Sequence, residues 1–158
     1  QRLRNLVDRK IEERHLIQAA ELVRSEGLQR LKLYVMVGLP GETGDDIDEL
    51  VRFSLELSKI APLVLSISLF VAKRNTPLNG APFEGIPLLN AKLFQIRNAL
   101  KGRVDIRPAS ARWAWVEYIL SQGGESAGLA AMEAWRDGGG FSSWKRAFIR
   151  HEVEKSIC

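Results

Sequence analysis

Apolar and polar positions follow two rhythms along this chain. Leu3, Leu6 and Val7, and then Leu16, Ala19, Ala20 and Val23, recur at three- and four-residue spacing, which predicts two amphipathic helices. Gly27 stands where a C-terminal cap belongs. At Leu31–Val37 the rhythm changes. Leu33, Val35 and Val37 leave only Lys32 clearly polar, which predicts a strand buried on both faces, as in parallel sheets. After a glycine-proline turn, Thr43 is placed to cap a helix, with Asp45 and Asp46 near its positive end. Ile47, Leu50, Val51 and Ser54 form the inner stripe of that helix, and Ala61-Pro62 ends it. Leu63–Val71 then predicts a second buried strand, completing a βαβ unit.

Past that strand the punctuation grows denser. Residues 75–87 form a Pro/Gly-containing loop just beyond the strand's carboxyl end, the edge where parallel α/β folds carry function. Leu89, Leu93, Ile96 and Leu100 mark a further helix, and Val104–Ile106 a short strand. Short helices follow around Trp113, Trp135 and Trp144, separated by Gly123-Gly124 and Gly138-Gly139-Gly140. The spacing of Trp113, Trp115, Trp135 and Trp144 with Val116, Ile119 and Leu120 favours core packing of small helices over base stacking. The fold class is α/β, with residues 88–158 read as a mostly helical extension of residues 1–87.

Composition narrows the classes. Hydrophobic residues make up 46% and charged residues 27%, which argues against disorder. No apolar run approaches the roughly 20 residues of a membrane helix. The chain opens in helical pattern, without an initiator methionine or a leader, as expected of an excised piece. Its single cysteine, Cys158, excludes an internal disulfide and any cysteine-only metal site, and reads as a spare terminal thiol. A cytoplasmic location fits. His15 and His151 stand without a ligand cluster and read as surface residues. The net charge of +4 is spread among interleaved Glu and Asp, favouring a solvated mixed surface over a nucleic-acid patch.

Three stretches together resemble radical S-adenosylmethionine (SAM) enzymes. Arg2-Leu3-Arg4 with Val7-Asp8-Arg9-Lys10-Ile11 is similar to the helix after the fourth barrel strand of that family. Leu31 to Thr43, with its Gly38-Leu39-Pro40-Gly41-Glu42-Thr43 turn, resembles the fifth strand. Phe70-Val71 followed by Lys73 and Thr76-Pro77 resembles the sixth, with Ala72 in place of the usual proline. Ser110-Ala111, Ala114, Val116-Glu117, Leu120-Ser121 and Gly123, then Ala134-Trp135, Gly138, Phe141 and Trp144, resemble a subgroup that carries a cobalamin-binding domain ahead of the barrel. That subgroup has Arg-Gly-Asp where this chain has Gln122-Gly123-Gly124.

The resemblance implies the later strands of a partial (β/α) TIM-like barrel with a helical C-terminal extension. It implies a parent oxidoreductase, or an enzyme of methyl-transfer type, that cleaves SAM reductively with a [4Fe–4S] cluster, and it suggests cobalamin. The cluster cysteines would lie upstream, so this piece alone is expected to be catalytically silent, completed by the upstream half of its own barrel. Its substrate, small or macromolecular, is left open. As part of a SAM wall, Val37 and Leu39 would offer apolar contact to adenine, and Gly38 and Gly41 a close backbone approach. Glu42 would order the turn or accept a hydrogen bond, with a plain strand-to-helix turn as the alternative. Arg9 would pair with the SAM carboxylate or stay an exposed helix-end arginine. Phe70 and Val71 would contact adenine through their backbone or simply pack in the core. Lys73 and Thr76 would face substrate or belong to a solvated loop. Exposed strand edges would let two copies pair. The rival is a non-catalytic α/β module that binds RNA or a protein partner.

Overall fold

The structure, a computed structural model, describes residues 2–153. Cys158, read from the sequence as a spare thiol, lies outside the described residues. Two short-range helices open the chain, α1 (Arg2–Leu6) and α2 (Glu13–Ser25). They lead to β1 (Leu31–Val37), α3 (Gly44–Ile60) and β2 (Leu63–Leu69), then α4 (Ile86–Leu100) and β3 (Asp105–Pro108). Three further helices follow, α5 (Ala111–Gln122), α6 (Glu125–Arg136) and α7 (Phe141–Arg150). The strands form one open sheet in the order β1-β2-β3, and β2 runs parallel to β3 with Val64 opposite Asp105 and Ile67 opposite Pro108. The class is α/β, as the strand–helix–strand pattern predicts. No helix among the described residues is long and apolar enough to cross a membrane.

The chain divides into two compact units. One takes in the described residues through Ser68 together with Leu88–Ala109, the other Leu69–Pro87 together with the described residues from Ser110 onward. Residues 88–109, read from sequence with the C-terminal extension, thus supply α4 and β3 to the sheet unit.

In the sheet unit, α2 and α3 pack on one face of the strands. Ala20 and Val23 of α2 meet Phe53 and Leu57 of α3, with Leu63 in the same cluster and Leu31 and Leu33 packed against it. This is where the sequence reading needs correction. β1 is not buried on both faces: its side chains alternate, with Leu31, Leu33 and Val35 half-buried and Lys32, Tyr34 and Met36 exposed. Tyr34 is 76% exposed. The alternation continues across the sheet, where Ser66 is half-buried and Ser68, Asp105 and Arg107 are exposed on the same side. β1 is an edge strand with one uncovered face, and apolar composition alone does not distinguish that from a central strand. β2 also ends two residues early, so Phe70 and Val71 follow the strand rather than close it.

In the helical unit, Phe148 is fully buried among Trp115 and Trp144, with ring centroids 5.5 and 5.6 Å away. Val116, Ile119, Ala127, Ala130, Ala134, Ala147 and Val153 complete that core. Gly123 is required by packing rather than by backbone conformation. A Cβ there would lie 2.5 Å from the Ala127 Cβ and 2.8 Å from the Ile119 carbonyl. Of the four tryptophans, Trp115 and Trp144 pack as expected, while Trp113 is about half exposed and Trp135 is 76% exposed. The outward position of Trp135 overturns its expected core role.

Candidate functional site

The turn that links β1 to α3 is built by residue type. Leu39 to Glu42 close a β-turn, the Glu42 N–H donating to the Leu39 carbonyl at 3.0 Å. Pro40 takes the first central position and Gly41, with φ of 74°, the second, which is the pattern of a type II turn. Gly38 just before it has φ of 88°, so both glycines hold backbone conformations that side chains disfavour. Thr43 and Asp46 then close a capping box at the start of α3, the Thr43 N–H donating to the Asp46 carboxylate at 2.8 Å. Burial pushes the Asp46 carboxyl up, but hydrogen bonds from the Thr43 backbone and hydroxyl, with the Arg2 guanidinium, outweigh it and hold the group below its ordinary value.

Inside that turn sits a buried ion pair. The Glu42 carboxylate accepts the Gly38 N–H on both oxygens, at 3.0 and 3.1 Å, and its Oε1 also accepts from Lys92 Nζ at 2.7 Å. The two side chains are 2% and 10% exposed. Lys92 reaches this position because α4 buries Leu89, Lys92, Ile96 and Leu100 along one stripe. The sequence reading placed Leu93 on that stripe and missed Lys92. The 3-4-4 spacing of Leu89, Lys92, Ile96 and Leu100 was the available signal, masked because a lysine is ordinarily taken for a solvated residue. Arg2 was missed too. Its guanidinium donates to the Gly41 carbonyl at 3.0 Å and pairs with Asp46, bracing the turn from outside.

The predicted site residues therefore have distinct fates. Val37 and Leu39 are buried, 0% and 6% exposed, and the Gly38 N–H is already bonded. Glu42 orders the turn, one of its two expected roles. Arg9 is exposed, and its backbone N–H bonds the Arg4 carbonyl. Phe70, Val71, Lys73 and Thr76 belong to the helical unit. There Phe70 is buried, and Lys73 pairs with Glu117 and donates to the Ser121 hydroxyl at 3.0 Å. The Thr76 hydroxyl donates to the Lys73 carbonyl at 2.7 Å, a local turn bond. Around them, Gln122 Nε2 donates to the Ala72 carbonyl at 2.9 Å and Arg74 to the Gln122 carbonyl at 2.6 Å. His15 is exposed as expected, whereas His151 is half-buried with its Nε2 2.8 Å from Glu133.

Beside the turn, the open face of the sheet presents Lys32, Tyr34, Met36, Ser66, Ser68 and Arg107. The Ser68 hydroxyl spans the strands, donating to the Val35 carbonyl at 3.1 Å. An open depression of about 400 Å³ lies at the other end of the strands, lined by Arg30, Pro62, Val64, Arg103 and Asp105 among others. No group of three or more His, Cys, Asp or Glu side chains among the described residues is arranged to hold a metal ion. With one cysteine in the whole sequence, the chain itself does not fit a cysteine-bound cluster.

Comparison with known proteins adds one relative. Over 85 residues, 53% of this chain, the sequence is 33% identical to an uncharacterized protein of Methanocaldococcus jannaschii. The match spans 19% of that protein's length. No protein-family profile matches the chain. No solved structure matches it either.

Proposed function

We propose that this chain forms the later strands of the barrel wall of a radical SAM enzyme, with the open face of its sheet turned toward the lumen that holds SAM and substrate. The observation that carries the reading is the one-sided cover of the sheet. Parallel sheets are ordinarily covered on both faces. Here α2 and α3 pack on one face, while the other carries Tyr34, Ser66, Ser68 and Arg107, polar side chains suited to a wet, ligand-holding interior, beside a buried Val64 at its amino end. The free edge of β1, at the end of the strand order, is where a preceding strand would pair.

This placement shifts the wall residues. Val37 and Leu39 are buried, so Tyr34, Met36, Ser66, Ser68 and Arg107 are the side chains offered to a ligand. The braced turn at Gly38–Glu42 fixes the carboxyl end of β1, and thereby the direction of Met36. The cluster and SAM would supply the 5′-deoxyadenosyl radical chemistry, and the residues of this chain would bind, orient and exclude water. The cluster ligands would come from the upstream half of the barrel. Cobalamin use belongs to the same proposal, on the resemblance of the helical unit.

The test extends the chain upstream through the whole barrel and purifies it without oxygen. Iron and sulfide are quantified, then 5′-deoxyadenosine is measured after SAM and a strong reductant are added. About four irons per chain with deoxyadenosine formation is the expected result. A protein that takes up no iron after reconstitution and forms no deoxyadenosine would defeat the reading in favour of a non-redox binding module.

A further inference from the structure

Helix α6 is apolar on two opposite sides. It buries Ala127, Ala130 and Ala134 against the helical unit, and its other side exposes Leu129, Met132 and Trp135, which are 50%, 54% and 76% exposed. A helix that is apolar on both sides is ordinarily covered on both. Glu125, Gly128 and Arg136 are also exposed, and at 3.6 residues per turn they fall with the three large side chains within about 60° of one direction.

This face complements itself. Glu125 is the first residue of α6 and Arg136 the last, so the charges sit at opposite ends of a 12-residue helix. An antiparallel pairing of two such helices about an axis between Ala130 and Ala131 sets Glu125 against the partner's Arg136. The same axis sets Leu129 against the partner's Met132. Both relations repeat by symmetry, as a two-fold interface requires. Gly128 lies on this face with no heavy atom within 4 Å of where its Cβ would be, leaving room for the partner's Trp135. Tryptophan is a residue type enriched among the anchors of protein interfaces.

We infer that α6 is a homodimerisation helix whose occupant is an antiparallel second copy of itself. This goes beyond the proposed barrel role and does not depend on it. The extent of the face sets its strength. Twelve residues span about 18 Å. That length falls short of a standard interface of roughly 800 Å² per partner, which points to a weak dimer to be sought at about 1–100 µM.

Sedimentation velocity of the full 158-residue chain across that concentration range is the test. The expected result is a monomer–dimer equilibrium abolished by Met132→Asp, with the far-UV circular dichroism unchanged because the site faces outward. Glu125→Arg and Arg136→Glu should each weaken dimerisation about tenfold by setting like charges together at two symmetric places. Their combination should restore it to within about threefold. A monomer throughout would overturn the inference. So would a dimer that none of these substitutions weakens, which would place the interface elsewhere, such as the β1 edge.

Discussion

Lys92→Met is expected to destabilise the sheet unit by about 3–5 kcal/mol, because it strands the Glu42 carboxylate in a buried site. Glu42 would keep the Gly38 N–H but lose the Lys92 ammonium that balances its charge. For a chain of this size the loss corresponds to a fall in melting temperature of roughly 10 °C. Far-UV circular dichroism is the suitable probe, because all four tryptophans lie in the helical unit. The paired variant Glu42→Gln/Lys92→Met should recover most of the stability. It removes both charges and leaves the glutamine amide oxygen to accept the Gly38 N–H. A double variant as unstable as Lys92→Met alone would show that Lys92 acts by something other than charge pairing.

Phe148→Ala is the second large effect, at about 3–5 kcal/mol for an aromatic removed from a closed core. The ring is fully buried and meets both Trp115 and Trp144, so the cavity opens where no main-chain shift can easily fill it. Urea unfolding followed by tryptophan fluorescence reads this unit directly. An unchanged midpoint would mean that the aromatic cluster does not carry the helical unit.

Much of this architecture was legible in the chain, and the parts that were not share one cause. Local chemistry read true: Thr43 caps α3 with Asp45 and Asp46 in its first turn, Pro40 and Gly41 make the turn, and Ala61-Pro62 ends the helix. These depend on residues within four positions of one another. The misreadings concern what lies across from a residue. Tyr34 and Met36 look the same in sequence whether they fill a core or line an open face. Lys92 hides on an apolar stripe because its carbon stem packs like an aliphatic residue while its ammonium finds Glu42, 50 positions away. Trp135 keeps helical spacing with its neighbours, yet the face it shares with Leu129 and Met132 is the one turned outward. In the candidate site, sequence located the Gly38–Glu42 turn. Only the fold separated its structural residues, Val37, Leu39 and Glu42, from the side chains that line the open face.

The most direct measurement of the central claim is deoxyadenosine formation by the upstream-extended barrel carrying Ser68→Trp. Ser68 is exposed in the middle strand of the open face, so an indole there would project into the proposed lumen without entering the packed core. The account predicts that iron content and circular dichroism match the parent while deoxyadenosine formation falls at least tenfold, a loss of about 1.4 kcal/mol in transition-state stabilisation. Undiminished deoxyadenosine formation by a cluster-loaded Ser68→Trp protein would contradict it.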